Sequence, residues 1–411
     1  MTTILPPLDQ LRPNPNLDKL PLFDRKGWET VRFGDVVENV NETERAPIEA
    51  GIERFIGLEH LEPGSLHIRT WGNVADGTTF TRRCLPRQVL FGKRRAYQRK
   101  VAVAEFDAVV SGDIYVFAPK GDQMLPELLP FLCLSELFFQ HAVGTSAGSL
   151  SPRTNWSSLA SYEFALPPLD QQRRIAEILW ALDEAKVQRE TLLNSLWAFH
   201  KATLDATCSL NGKRRPLGEL VFSASDGPFG SKLKTEHYAD CGARVIRLQN
   251  IGEGYFDDSD KAFISTQYFG ELKRYEVRAG DVIVAGLGDE THPVGRAAVI
   301  PESLGPAINK ADCFCIRADR KTVMNAYLAH FLNSKSGTDQ VATRAQGTTR
   351  MRINIGNIKT VQVYVPTIDC QAQLVEELRR IEEAMAGVTS AIVETNNLIA
   401  AFQSTLFENE L

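Results

Sequence analysis

From Leu374 to Leu406 the apolar residues recur at alternating spacings of four and three. Leu374, Leu378, Ile381, Met385, Val388, Ile392, Thr395, Ile399, Phe402 and Leu406 keep this rhythm without a break. That is the a/d seam of a coiled-coil helix. A second stretch, 170–208, holds neither Pro nor Gly and sets Ile175, Leu179, Leu182, Leu193 and Leu196 on the same kind of seam. Polar Lys186 and Arg189 interrupt it, so a looser pairing is expected midway. At about 1.5 Å per residue, roughly 38 residues make a rod near 57 Å, too long for an ordinary globular helix. Two such stretches in one chain predict two helices packed antiparallel along their seams.

Each helix has the same kind of start. Leu166-Pro167-Pro168-Leu169-Asp170-Gln171-Gln172 precedes one and Val365-Pro366-Thr367-Ile368-Asp369-Cys370-Gln371 the other, with Asp369 standing 199 residues after Asp170. Proline blocks helix upstream, and Asp170 reads as the N-cap. Ile4-Leu5-Pro6-Pro7-Leu8-Asp9-Gln10 echoes the phrase, but Pro13 and Pro15 stop any long helix there. The echo is either chance or the mark of a cyclic pair of repeats cut open.

Short strand-like runs fill the intervals, and they too come twice. Val31–Val37 is answered by Arg215–Val221, Phe55–Leu61 by Val245–Ile251, Gln88–Phe91 by Asp281–Val284, and Gly148–Trp156 by Gly347–Ile355. In the first copy, Val101–Ala104 and Ile114–Phe117 are further strands, Leu128–Val143 is a helix and Gly144–Arg153 a polar loop. The offset grows from 184 at Gly34/Gly218 to 199 at the helices, as expected for one scaffold with loop insertions. The reading is α/β (α+β): an N-terminal arm at 1–26, globular domains at 27–168 and 210–366, and long helices at 169–209 and 367–411.

Composition changes this picture little. The chain has 411 residues, enough for two or three domains with real cores. Its net charge of −5 argues weakly against nucleic acid, but residues 369–411 alone carry eight acids against Arg379 and Arg380. The rest is near neutral, with local basic clusters that could hold a phosphate backbone. No apolar run is long enough to span a bilayer, and the N-terminus does not read as a signal peptide. Seven cysteines without a CxxC pair fit a reduced, cytoplasmic protein; Cys313 and Cys315 fall inside a strand.

Catalytic signatures are missing from the sequence. There is no GxxxxGK[ST], no HExxH, no zinc-spaced Cys/His set and no Asn/Asp-Pro-Pro-aromatic motif of an amino-methyltransferase. Gly286-Leu287-Gly288 reads as a turn, and His60, His141 and His292 do not cluster. What stands out is Lys93-Arg94-Arg95-Ala96-Tyr97-Gln98-Arg99-Lys100, five cations with a Tyr and a Gln between two strands. Cations can hold phosphates, and Arg or Gln can read base edges. Composition alone leaves open a merely solvated hairpin loop. Arg82 and Arg83 add to the same domain, as do Arg153 and Asn155. The second copy has a less basic loop with Thr291, His292 and Arg296. It compensates with Arg344, Gln346, Thr348, Thr349, Arg350, Arg352 and Asn354; Lys310 is a weaker candidate. Similar scaffolds with unlike loops would read unlike sequences.

From Trp28 to the C-terminus the chain resembles the DNA specificity subunits of type I restriction–modification systems. The marks are the repeated Pro-[Pro/Thr]-[Leu/Ile]-Asp-x-Gln helix start, the Gly-[Ser/Thr]-x-x-x-Arg-x-Asn loop before it, and Gly92-Lys93-Arg94-Arg95-Ala96-Tyr97. Asp226–Ser231, Arg244–Asn250 and Gly305–Asp312 look like one type of second recognition domain in that family. The resemblance implies two target recognition domains held apart by two antiparallel helices with pseudo-two-fold symmetry. It implies a non-catalytic chain that binds double-stranded DNA, two methylation subunits and motor-nuclease subunits. Adenine methylation with S-adenosylmethionine, and cleavage with ATP and Mg2+, would belong to those partners, with no cofactor or metal in this chain. Each domain would read half of a split, asymmetric site, the halves roughly 10 base pairs apart. The alternatives are the same kind of subunit serving another phage-defence system, or a coiled-coil scaffold that reads no DNA.

Overall fold

The structure is a computed structural model that describes residues 24–207 and 213–407. The Ile4–Gln10 echo, most of the expected N-terminal arm and the 208–212 junction lie outside the described residues. The chain forms two compact units: the described residues of Met1–Thr191 with those of Thr389–Leu411, and those of Leu192–Val388. Each unit holds one globular repeat and part of each long helix.

In the first unit, Glu29–Arg32 pairs antiparallel with Glu163–Leu166 and closes the globule beside the helix start. A four-stranded antiparallel sheet runs in the order Val37–Asn39, Ile114–Pro119, Val89–Gly92, Val101–Val103. A second sheet runs Gly72–Asn73, Arg54–Ile56, Ala108–Val110, Arg82–Cys84, with a parallel pair at its middle. Leu90, Ala102, Val116, Val110 and Ile56 pack in one core cluster. The expected helix over Leu128–Val143 is two helices, Leu129–Leu134 and Glu136–Gly144. Ser135 separates them: its extended backbone ends the first, and its hydroxyl caps the second by accepting from Phe138 N at 3.4 Å.

The second unit repeats this topology with an added strand, Tyr238–Ala239, at the edge of its second sheet. Lys213–Pro216 pairs with Gln362–Val365. The first sheet runs Val221–Ser225, Cys313–Ala318, Val282–Ala285, Ala297–Val299. The other runs Tyr238–Ala239, Phe263–Ile264, Ala243–Ile246, Ala307–Asn309, Glu276–Val277, again with one parallel pair. Gly34 shows why its position aligned: a Cβ there would stand 2.6 Å from the Cβ of Ala160, and one at Gly218 would stand 3.3 Å from that of Lys359. Cys313 and Cys315 are buried strand residues whose thiol pKa values burial pushes up.

The long helices run Leu169–Thr207 and Ile368–Phe407. They start one residue before Asp170 and Asp369, which corrects the N-cap assignment. The Pro168 and Thr367 carbonyls already accept from Gln172 N and Gln371 N at 2.9 and 3.0 Å, so both aspartates lie in the first turn. There they face the positive end of the helix dipole. The Gln of each Asp-x-Gln phrase is buried and ties helix to globule. Gln172 accepts from Leu125 N (2.9 Å) and donates to Gln123 O (2.7 Å) and Pro167 O (2.8 Å). Gln371 does the same to Met324 N (2.9 Å), Thr322 O (3.1 Å) and Pro366 O (2.9 Å).

Within the first unit, Ile175 and Leu179 share a core with Phe402, Leu406 and Ile399. Within the second, Leu204 shares one with Leu374 and Leu378. An early part of one helix meets a late part of the other in each unit, so the pairing is antiparallel. Ile381 and Met385 are buried; Leu182, Leu193, Leu196, Val388 and Ile392 are half-buried. The polar break is bridged: Arg189 Nη1 donates to the Thr395 hydroxyl and to Ala391 O, while Lys186 Nζ reaches Gly64 O at 3.0 Å. The expected loosening gives way to these links because both cations are long enough to leave the seam and find acceptors.

Candidate nucleic-acid interface

The Gly-[Ser/Thr]-x-x-x-Arg-x-Asn loop has one conformation in both copies. Ala147 and Arg153 exchange backbone hydrogen bonds at 3.0 and 2.9 Å, and Gln346 and Arg352 do so at 2.8 Å. Gly148 and Gly347 take φ of +112° and +111°, where a side chain would be strained. Asn155 and Asn354 end the loop as helix caps, each accepting from the backbone N–H three residues on at 2.8 Å. Their carboxamide oxygens therefore serve the fold.

Arg153 and Arg352 point into equivalent carboxylates. Arg153 donates from Nε to Asp113 Oδ1 at 2.8 Å and from Nη2 to Oδ2 at 3.4 Å. Arg352 donates from Nε and Nη2 to Asp312 Oδ1 at 3.0 and 2.7 Å. The Arg153 hydrogen bond holds the Asp113 carboxyl below the usual range. Sequence reasoning gave Asp113 and Asp312 no role. Their own 199-residue spacing was the available signal.

In the first copy this loop docks against Lys93–Lys100. Arg95 N donates to Pro152 O at 2.7 Å and Thr154 N to Lys93 O at 3.1 Å. The Ser151 hydroxyl accepts from Arg94 Nη2 and Arg95 Nη2 at 3.1 and 3.4 Å, and Arg94 Nη1 reaches Asp113 at 3.4 Å. A 3-10 turn at Ala96–Gln98, flanked by left-handed Arg95 and Arg99, leaves Tyr97 54% exposed and Gln98 half-buried. Lys93 and Arg82 lie 4.8 and 6.0 Å from the Tyr115 ring centre, and burial lowers both pKa values. Three expected contacts also have partners within the protein. Arg99 pairs with Glu136, Lys100 Nζ donates to Leu58 O at 2.6 Å, and Arg83 forks onto Asp107 at 3.0 and 2.6 Å.

In the second copy, Leu287–Gly288 pairs with Met351–Arg352, so the two candidate loops again meet. Thr291 and His292 are exposed; Asp289 accepts from the Thr291 hydroxyl and both backbone N–H groups, which brings its carboxyl down to about 2. Gln346, Thr348, Thr349 and Arg350 are exposed. Arg296 is a correction: it is 5% exposed and donates to the carbonyls of Ile251, Leu248, Leu287, His292 and Pro293. It organises the loop from beneath and is unavailable to DNA. Arg344 folds back onto Gln340 O and Thr360, and Lys310 sits by the Tyr238 ring. An exposed Phe229 lines a pocket with Asp226, Asp312, Gln346, Arg352 and Asn354, a ring that loop-by-loop reading missed.

The duplicated scaffold thus presents unlike polar loops beside a shared Arg loop. Residues 25–196 match the sequence model of the "Type I restriction modification DNA specificity domain". The chain is 24% identical over 298 residues to the type I restriction enzyme EcoBI specificity subunit of Escherichia coli, covering 64% of this chain and 60% of that subunit. It is 27% identical over 177 residues to the EcoDI specificity subunit of the same organism, covering 41% and 36%. Among solved structures it resembles a chain from a study of type I R-M complex assembly and conformational transition. That likeness has TM-score 0.59 and 17% identity, covering 94% of this chain and 98% of the other. Over part of its length the chain is similar to type I restriction–modification specificity subunits. Its match spans less than two thirds of either E. coli subunit's length. No described helix is long and apolar enough to cross a membrane.

Proposed function

We propose that this chain is the non-catalytic address subunit of a type I restriction–modification complex, reading a two-part asymmetric DNA site in the cytoplasm of a prokaryote. One observation carries the reading: the same topology, loop and Asp-held Arg occur twice, beside loops of opposite character. The first copy offers Lys93, Arg94, Arg95 and Tyr97; the second offers Asp289, Thr291 and His292, with Arg350 on the adjoining loop. Two unlike chemical faces on one scaffold suit two unlike half-sites.

Two methylation subunits and the motor-nuclease subunits are the partners in this reading. They hold S-adenosylmethionine, ATP and Mg2+, and they methylate adenine or cut unmodified DNA. The distal helix is the acidic element on which the methylation subunits would dock. Its charge is partly answered internally, since Arg379 pairs with Glu376 and Glu383. Deleting residues 370–411 is expected to abolish the complex in native mass spectrometry.

The DNA reading is tested with the chain co-purified with its methylation subunits. Gel-shift titration should show salt-dependent binding, and joint replacement of Arg94, Arg95 and Arg153 by Ala should weaken it severely. A complex that shifts no DNA at low salt would leave the scaffold reading in its place.

A further inference from the structure

We propose that the Asp113–Arg153 and Asp312–Arg352 pairs are a duplicated phosphate clamp, the sequence-independent part of both half-interfaces. This rests on the DNA-reading function proposed above. It assigns to specific residues a division of labour that the function alone leaves open.

The argument starts from what the copies share and what they do not. Aspartate and arginine stand at the same 199-residue offset and are 40 residues apart in each copy. The loop that carries the arginine is anchored at both ends in each copy: by two backbone hydrogen bonds at Ala147/Arg153 or Gln346/Arg352, and by the Asn155 or Asn354 cap. Beside this constant device everything polar changes. Lys93–Lys100 brings five cations, whereas Leu287–Gly295 brings Asp289 and Glu290 with no lysine or arginine. What two unlike half-sites have in common is the phosphodiester backbone. A device kept in both domains fits that common feature, and the divergent loops fit the bases.

Geometry supports the same assignment. The Arg153 and Arg352 side chains are 50% and 56% exposed, while the Asp113 and Asp312 side chains are 21% exposed. Each carboxylate takes the Nε edge of its arginine, through Nε and Nη2, while about half of the arginine side chain stays exposed. A guanidinium fixed at one edge is a pre-oriented donor for a phosphate oxygen. The aspartates are positioning residues: they act through the arginines.

The test uses the chain in complex with its methylation subunits. Binding is measured across a salt series on DNA with and without the site, and the methylated motif is read by sequencing. Arg352→Ala and Arg153→Ala should each weaken both DNAs by the same factor. Each should also flatten the log–log salt slope by about one unit and leave the motif unchanged. Arg352→Lys should recover part of the lost affinity, because a phosphate accepts a point charge where a base edge needs the fork. Asp312→Asn should also weaken both DNAs alike, although it removes a negative charge. A thermal melt of each variant complex separates loss of contact from loss of fold. If Arg352→Ala or Arg153→Ala instead relaxes one base of the motif while binding to unrelated DNA stays the same, these arginines read bases and the clamp is refuted. If Asp312→Asn tightens binding, the carboxylate is only a repelling charge and the positioning role is refuted. A wild-type complex that binds no DNA would refute the proposed function itself, a distinct outcome.

Discussion

Replacing Gln371 by Leu tests whether the repeated Asp-x-Gln phrase is a structural bracket. The Gln371 side chain is buried and its carboxamide satisfies three backbone groups: one N–H and two carbonyls. Leucine fits the space but strands all three. A net hydrogen bond is worth about 1 kcal/mol, and a buried group left unsatisfied costs roughly 1–3 kcal/mol, so the loss should be on the order of 3–5 kcal/mol. Gln172→Leu should cost as much, for the same three reasons. Gln171 is the control. It is half-buried, accepting from Trp28 Nε1 at 2.6 Å and donating to Asp24 O at 3.3 Å, so Gln171→Leu should cost about 1 kcal/mol. Urea unfolding followed by circular dichroism reads all three variants. If Gln371→Leu and Gln172→Leu cost no more than Gln171→Leu, the bracket argument fails.

Other outcomes follow from the same packing. Leu378 is fully buried, so Leu378→Ala should cost about 2–5 kcal/mol, whereas half-buried Val388→Ala should cost clearly less in the same unfolding assay. Ile381→Asp with Ile392→Asp should open the helix pairing within each unit, seen as faster amide exchange along 374–406; unchanged protection would contradict it. His67 sits between Asp183 at 2.8 Å and Glu105 at 3.2 Å, and the hydrogen bond to Asp183 raises its pKa above 6.5. A raised histidine stabilises fully below the unfolded value and loses that contribution as pH rises through the folded one. The stability gap between the native chain and His67→Gln should therefore shrink from about pH 6 upward, and a gap that widens with pH would refute the assignment.

The long helices were legible because a four-three seam needs only local sequence, and the duplication was legible because it repeats whole phrases. The misreadings are those in which burial or reach decides. Asp170 has the residue type of a cap, but the Pro168 carbonyl fixes the start of the helix. Arg296 counts as a cation in the sequence, yet five carbonyls surround it. Arg189 looked like a flaw in a seam until its acceptors on the facing helix were in view. Asp113 and Asp312 were hidden because each partner lies 40 residues away, beyond any local pattern.

The central claim is that each globular repeat addresses one half of a split DNA site. Exchanging residues 27–165 for the matching domain of a type I specificity subunit, in cells carrying the proposed methylation subunits, tests it most directly. Methylome sequencing should then show one half-site replaced and the other intact. A motif in which both halves change, or neither does, would contradict the account.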